Sequence, residues 1–176
     1  MFTHFMGKGA AAGEGSTLWT YGDLIDLTNS GADDTTAWTL LSGLSGVTDI
    51  EVIMHNGGLD DNDEIALHIG DAGGFETTDY GMSITIDSGS DHDTRGFTAD
   101  ENTKGVNTAA YFAVYRLIHM SNNIWIAVTT GGRHNGSATR TGFGTKTLDT
   151  ELTQIQISTC DGTASFDNGT ARARWM

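Results

Sequence analysis

The sequence predicts an all-β fold: a β-sandwich with jelly-roll or Greek-key connections and an extended N-terminal arm. Three observations carry that expectation. Short apolar runs alternate with clusters of Gly, Asn, Asp, Ser and Thr, and the 176 residues include 24 glycines and no proline, a pattern of many strands joined by turns. No segment repeats its apolar residues at helical spacing. Residues 111–129, YFAVYRLIHMSNNIWIAVT, read as two long strands around Ser121-Asn122-Asn123. That break suits a tight turn, because Asn tolerates positive φ.

Taken in order, residues 1–16 (MFTHFMGKGAAAGEGS) form the arm, with Phe2, Phe5 and Met6 ahead of a Gly/Ala tract. Such a segment lacks the apolar content to fold alone, so the expectation is that it anchors on a neighbouring subunit through those three side chains. Residues 17–176 make a single domain. Strand-like runs fall at 17–27, 36–44 and 49–55, the last placing Ile50, Val52 and Met54 on one face. Asn56-Gly57-Gly58 and the acidic run after it read as a loop. Residues 64–70 turn Ile65, Leu67 and Ile69 inward, and 82–87 is another strand. Residues 88–108 are polar and long for a connection, which marks a functional loop. Here His92, Arg95 and Phe97 are the candidate ligand-facing residues.

The 111–129 hairpin departs from ordinary half-exposed alternation. Phe112, Val114, Ile118 and Met120 share one face, and Tyr111, Ala113, Tyr115 and Leu117 the other; Ile124, Ile126 and Val128 oppose Trp125 and Ala127. Both faces want cover. One can line the core and the other a second layer or subunit, with Tyr115 and Trp125 as the candidate assembly contacts. Residues 131–147 read as a Gly-rich connection with at most a short strand. Ile155 and Ile157 mark the next strand, Asp161-Gly162 and Asp167-Asn168-Gly169 signal turns, and ARARW ends the domain. The count is eight to ten strands.

Composition narrows function. With 23 acidic and 9 basic residues the formal charge is −14, so phosphate backbones repel the chain and nucleic acid is an unexpected partner. No run approaches the roughly 20 apolar residues of a membrane helix, so no insertion is expected. The single cysteine, Cys160, has no partner for a disulfide and reads as a small apolar residue. Asp60-Asp61-Asn62-Asp63-Glu64 resembles a calcium loop only at first glance: the Gly and Glu that an EF-hand needs at positions six and twelve are Ile65 and Asp71. It reads as a solvated acidic tip. The six histidines are scattered without metal-ligand spacing, and His68 and His119 read as packing or hydrogen-bonding residues. No catalytic residue, metal or cofactor is expected. Loop aromatics Trp19, Tyr80 and Phe97 leave a lectin-like module as the alternative reading, and paired carboxylates across a groove a carbohydrate-active enzyme as a third.

Three phrases then carry a resemblance. AWTLLSGLSGVTDIEVIMHN, LHIGDAGGFETTDYG and GFGTKTLDTELTQIQISTCDGTASFDNGTARARW resemble the strand-and-turn phrases of a β-domain found in tailed-bacteriophage virion proteins, often in tail fibres. The similarity runs from about Trp38 to Trp175. It implies a non-enzymatic component on the outer surface of the virion, a homotrimer in contact with other virion proteins; host attachment through a surface glycan is the expectation of the lectin-like reading, and the two can coexist. With a short arm in place of a fibre shaft and a basic last strand, the chain fits a capsid decoration protein or a short head or tail fibre.

Overall fold

The computed structural model describes residues 18–28, 37–61, 63–86, 89–99, 111–134 and 139–176. Phe2, Phe5 and Met6 lie outside the described residues. The described chain is all-β, with thirteen strands. An eight-stranded antiparallel sheet runs in the order β1 (Thr20–Asp26), β13 (Phe166–Trp175), β3 (Asp49–Leu59), β9 (Tyr111–Ser121), β10 (Ile124–Arg133), β11 (Thr139–Thr147), β6 (Gly81–Ile86), β7 (Gly89–Asp93). A second sheet runs β2 (Ala37–Ser42), β12 (Gln154–Thr159), β4 (Ile65–Asp71), β5 (Gly74–Phe75), with β8 (Phe97–Thr98) also on β4. The two sheets pack into a sandwich around one core. Most neighbours in each sheet are distant in sequence, the pattern of Greek-key rather than meander connections.

The β9–β10 hairpin is as long as expected, and Asn122 and Asn123 both take positive φ (48° and 62°), the primed turn that matches strand twist. A bulge between Ile124 and Trp125 sets His119 opposite Trp125. The face assignment holds. Tyr111, Ala113, Tyr115, Leu117, Trp125 and Ala127 point into the core, while Val114, Ile118, Ile126 and Val128 point out. The inward set alternates large with small side chains, so it interdigitates with the facing sheet.

Several sequence expectations change. Asn56-Gly57-Gly58 is not a loop: β3 runs on to Leu59 through an irregularity between Met54 and Gly57. Part of the expected 88–108 loop forms β7 and β8. Residues 131–147 contain a full nine-residue strand, β11. Its glycines face inward because the core leaves no room for a side chain. A Cβ on Gly142 would collide with Met82 and come within 2.6 Å of Thr129 Oγ1, and one on Gly144 would sit 2.6 Å from Met82 Sδ. β4 is buried along its whole length, not only at Ile65, Leu67 and Ile69. The 93–97 segment covers its other face, with Gly96 packed so tightly on Ala66 and His68 that a Cβ there would fall 2.7 Å from Ala66 Cβ. Asp167-Asn168-Gly169 lies within β13 at its irregular start, with Gly169 at φ 115°.

Candidate functional site

The residues singled out from the 88–108 loop do not form a ligand-facing surface. Phe97 is 0% exposed and meets Tyr80 edge-on at 4.8 Å, so both aromatics belong to the core. His92 is exposed on β7. Arg95 is engaged: its guanidinium reaches Glu64 (2.6 Å), Asp161 (2.7 Å) and Asp93 (3.1 Å). One cation thus ties the residue leading into β4, β7 and the turn after β12. Burial raises the Glu64 carboxyl to about 7, against the pull of Arg95. Glu64, Asp93 and Cys160 bring ligand atoms within 4.8 Å of one another. The positive charge beside them is already supplied by Arg95, so the cluster works as a clamp rather than a metal cradle. Burial and the Asp93 charge push the Cys160 thiol well above its ordinary pKa, leaving it a poor nucleophile.

Within the acidic run, Asp60 and Asp63 are held by backbone N–H groups, and Asp63 is buried rather than part of a solvated tip. Asp60 accepts from Ser165 N–H (2.7 Å), and the buried Asp63 accepts from the N–H groups of Glu64 (2.7 Å) and Asp161 (3.1 Å). His68 is buried, with Nε2 2.8 Å from the Arg95 carbonyl and Nδ1 2.9 Å from Ser158 Oγ. Its pKa is lowered, chiefly by burial, so it is a neutral cross-link between β4, β12 and the 93–97 segment. Lys146 is buried too, donating to Thr78 O (2.8 Å) and pairing with Glu76 (2.9 Å). These groups hold the sandwich together.

The candidate assembly contacts need a larger correction. Tyr115 and Trp125 are 1% and 2% exposed. They are core residues of their own chain and cannot form a subunit seam. Among the described residues, the uncovered face is the opposite one. Its side chains form rows across the eight-stranded sheet. One row reads Tyr21, Arg174, Glu51, Arg116, Val128, Phe143. The next reads Leu24, Arg172, Ile53, Val114, Thr130, Thr141. Phe143 is 60% and Ile53 47% exposed, and Tyr21, Leu24, Ile118 and Met120 are exposed beside them.

This face also differs in charge from the rest of an acidic chain. Among the described residues of β3, β9 and β10, its carboxylates are Asp49 and Glu51. Asp49 takes Arg116 at 2.7 Å and Glu51 takes Arg174 at 2.7 Å. Arg172 lies over the Tyr21 ring (5.1 Å) and Arg174 over Trp19 (4.5 Å). Apolar, aromatic and arginine side chains with few unpaired carboxylates are the composition of a protein–protein interface core. At the far end of the face, the missing side chain of Gly132 opposite Phe112 opens a groove of about 480 Å³ lined by Ile53, His55, Phe112, Val114 and Arg133. No family model, curated protein or solved structure matches this chain. No helix among the described residues is long and apolar enough to cross a membrane.

Sequence reasoning found the outward stripe of the hairpin and missed its extension to Tyr21, Arg172, Arg174 and Phe143. Those residues are far apart in the chain and meet only through sheet order. The alternation of Arg172 and Arg174 in ARARW was the available signal, since it places two arginines on one strand face.

Proposed function

We propose that the chain is a non-enzymatic structural protein on the outer surface of a bacteriophage virion, a capsid decoration protein or a short head or tail fibre that contributes to host attachment. The observation that carries the reading is the uncovered outer face of the eight-stranded sheet, apolar at Ile53, Val114, Val128 and Phe143 and edged by Arg172 and Arg174. Chains of charge −14 repel one another, so copies associate best through a face whose central strands pair their carboxylates with arginine. From β1 to β11 the face has a footprint of roughly 700 Å², from strand spacing and rise, near the ~800 Å² per partner of a standard interface.

The partner in this reading is a second and third copy of the chain. In a closed three-fold ring each copy contributes two different patches. The arginine–aromatic edge at β1 and β13 then meets the apolar centre at β9 and β10. The strand-and-turn phrases between Trp38 and Trp175 support placing such a trimer on a virion. Two measurements test the reading. Light scattering of the purified chain at micromolar concentration is expected to give three times the 18.7 kDa of one copy. Mass spectrometry and immunogold labelling of purified particles are expected to find it on their exterior. A monomer at all concentrations, or particles that lack the chain, would overturn it.

A further inference from the structure

The groove at the far end of the outer face takes its shape from three strands. Phe112 on β9, Gly132 on β10 and Thr139 on β11 lie side by side in register. The missing side chain at Gly132 leaves a gap in that row. Phe112 forms one wall, with the His55 ring at 5.1 Å and the His134 ring at 6.1 Å. Thr139 forms the other, and Ile53, Val114 and Thr130 in the next row extend the gap into a cleft. Among the described residues no carboxylate lines it. A cavity of about 150 Å³ already holds one benzene ring, so about 480 Å³ suits a short run of side chains rather than a single knob.

We infer that this groove seats the N-terminal arm, Phe2 to Met6, of an adjacent copy; the inference rests on the assembly reading above. Among the segments outside the described residues, 29–36, 100–110 and 135–138 carry no apolar side chain larger than Ala except Val106, whereas 1–17 carries Phe2, Phe5 and Met6 within its first six residues. The first 13 residues also hold Lys8 and none of the 23 carboxylates, so an acidic body attracts them. The reach fits as well. The chain joins the sheet at β1, just after Leu18. The dozen residues from Gly7 to Leu18 span up to about 40 Å, against a radius of gyration of roughly 16 Å for a domain of this length, so the arm can cross from one copy to the next. Its own groove, on β9 and β10, lies beyond β13 and β3, roughly 15–20 Å away by strand spacing. Seating there would lay the linker over β13 and β3 and cover the face on which a neighbour docks. In the assembly the arms are therefore exchanged, at low cost because every groove meets the same segment.

Thr3→Cys and Thr139→Cys together on the full chain test this, with a short bismaleimide as cross-linker and a denaturing gel as readout. Thr3 lies between the two Phe anchors, and Thr139 is exposed at the rim of the groove, so both changes keep the aromatic contacts. The controls are the parent, whose one thiol at Cys160 has a raised pKa and reacts slowly, and T3C/T39C, which places the second thiol on the other sheet. Covalent multimers of two and three chains are expected about tenfold faster than in T3C/T39C, the gain of a seated thiol over one that is only tethered. Adding F2A and F5A should remove that gain. The inference is overturned if the product is a single chain linked to itself, if multimers form no faster than in T3C/T39C, or if F2A and F5A leave the rate unchanged. Light scattering of the same sample separates the two readings: an assembled chain with any of those results loses the groove and keeps the assembly, and a monomer loses both.

Discussion

Phe143→Asp is the most direct probe of the assembly face. Phe143 sits mid-strand on β11, outward, beside Val128, and 60% of it is exposed in the single chain. Burying a whole Phe side chain is worth about 1.5–3 kcal/mol, so covering its exposed part contributes about 1–2 kcal/mol at each interface. Losing that, and placing a carboxylate on a face whose central strands pair their own, weakens each interface roughly tenfold or more. Three interfaces in a ring compound the effect. The fold itself is nearly indifferent, because exposed substitutions away from special features stay within about 0.5 kcal/mol. The assay is light scattering over a dilution series alongside thermal unfolding monitored by circular dichroism. The expected result is a fall towards 18.7 kDa at concentrations where the parent stays assembled, with the unfolding midpoint of a matched monomer preserved. T39D, an exposed position on β2 in the other sheet, is the control and should keep the parent mass. If F143D keeps the parent mass throughout, the outer face is not where copies meet.

Four further outcomes can be measured, three from the structure and the last from the sequence of the N-terminal arm. Trp125→Ala should cost about 3–5 kcal/mol of stability, the usual loss for a buried aromatic, and chemical denaturation will show unfolding rather than dispersal of a folded monomer. Gly142→Ala should destabilise by about 1–3 kcal/mol through overpacking against Met82 and Thr129; adding Met82→Ala should recover part of that, and strictly additive losses in the double-mutant cycle would refute the contact. Glu64 binds its proton more tightly when folded, at about 7 against an ordinary 4.5, so its contribution makes stability fall as pH rises from about 5 to 8. His68, with a lowered pKa, acts oppositely below about 6.5, where the unfolded chain takes up the proton. The Glu64 part, of order 2 kcal/mol once screening is allowed for, should vanish in E64Q; unchanged pH profiles of the melting temperature would contradict it. Deletion of residues 1–12 should abolish assembly and leave a folded domain, and an intact oligomer after that deletion would exclude the arm as an anchor.

The hairpin shows how far alternation carries and where it stops. It separated Tyr115 and Trp125 from Val114 and Val128 correctly, since side chains alternate across a strand whatever surrounds it. It could not say which set faces the partner sheet, because both were apolar. Size decides: the set mixing Trp and Tyr with Ala fills the irregular space between sheets, and the β-branched set with Arg116 lies flat outside. β11 was hidden for the opposite reason. Its glycines read as a loop by propensity, yet Gly142 and Gly144 are the condition for Met82 to enter the core. Propensity is local and Met82 is some sixty residues away in the chain. The same limit misplaced Arg95 and Phe97. Nothing near them in sequence announces that Glu64 and Asp161 will claim Arg95 or that Tyr80 will cover Phe97.

The inner and outer faces of the large sheet are therefore specified by different physics, and this makes the assembly reading separable from the fold. The inner face is fixed by volume, where one misplaced methyl at Gly142 is felt. The outer face is fixed by charge. In a chain with 23 carboxylate side chains, chance alone would scatter several across six strands. Across the six strands the outer face holds Asp26 at the β1 edge, while at its centre on β3, β9 and β10 the carboxylates are Asp49 and Glu51, both answered by arginines on neighbouring strands. On a solvated sheet face the arrangement gains little beyond serving the half-buried carboxylates themselves, because ion pairs with an exposed arginine are worth about 0–1 kcal/mol. A face that must lose its water gains a great deal, since an unpaired carboxylate there would have to be buried at a cost of several kcal/mol. Arg116→Ala and Arg174→Ala together distinguish the two cases. They strip both carboxylates of their partners and should disperse the assembly; because Asp49 is buried already in the single chain, some stability of the monomer is lost as well, and a loss of stability without dispersal would mean the pairs serve the sheet alone.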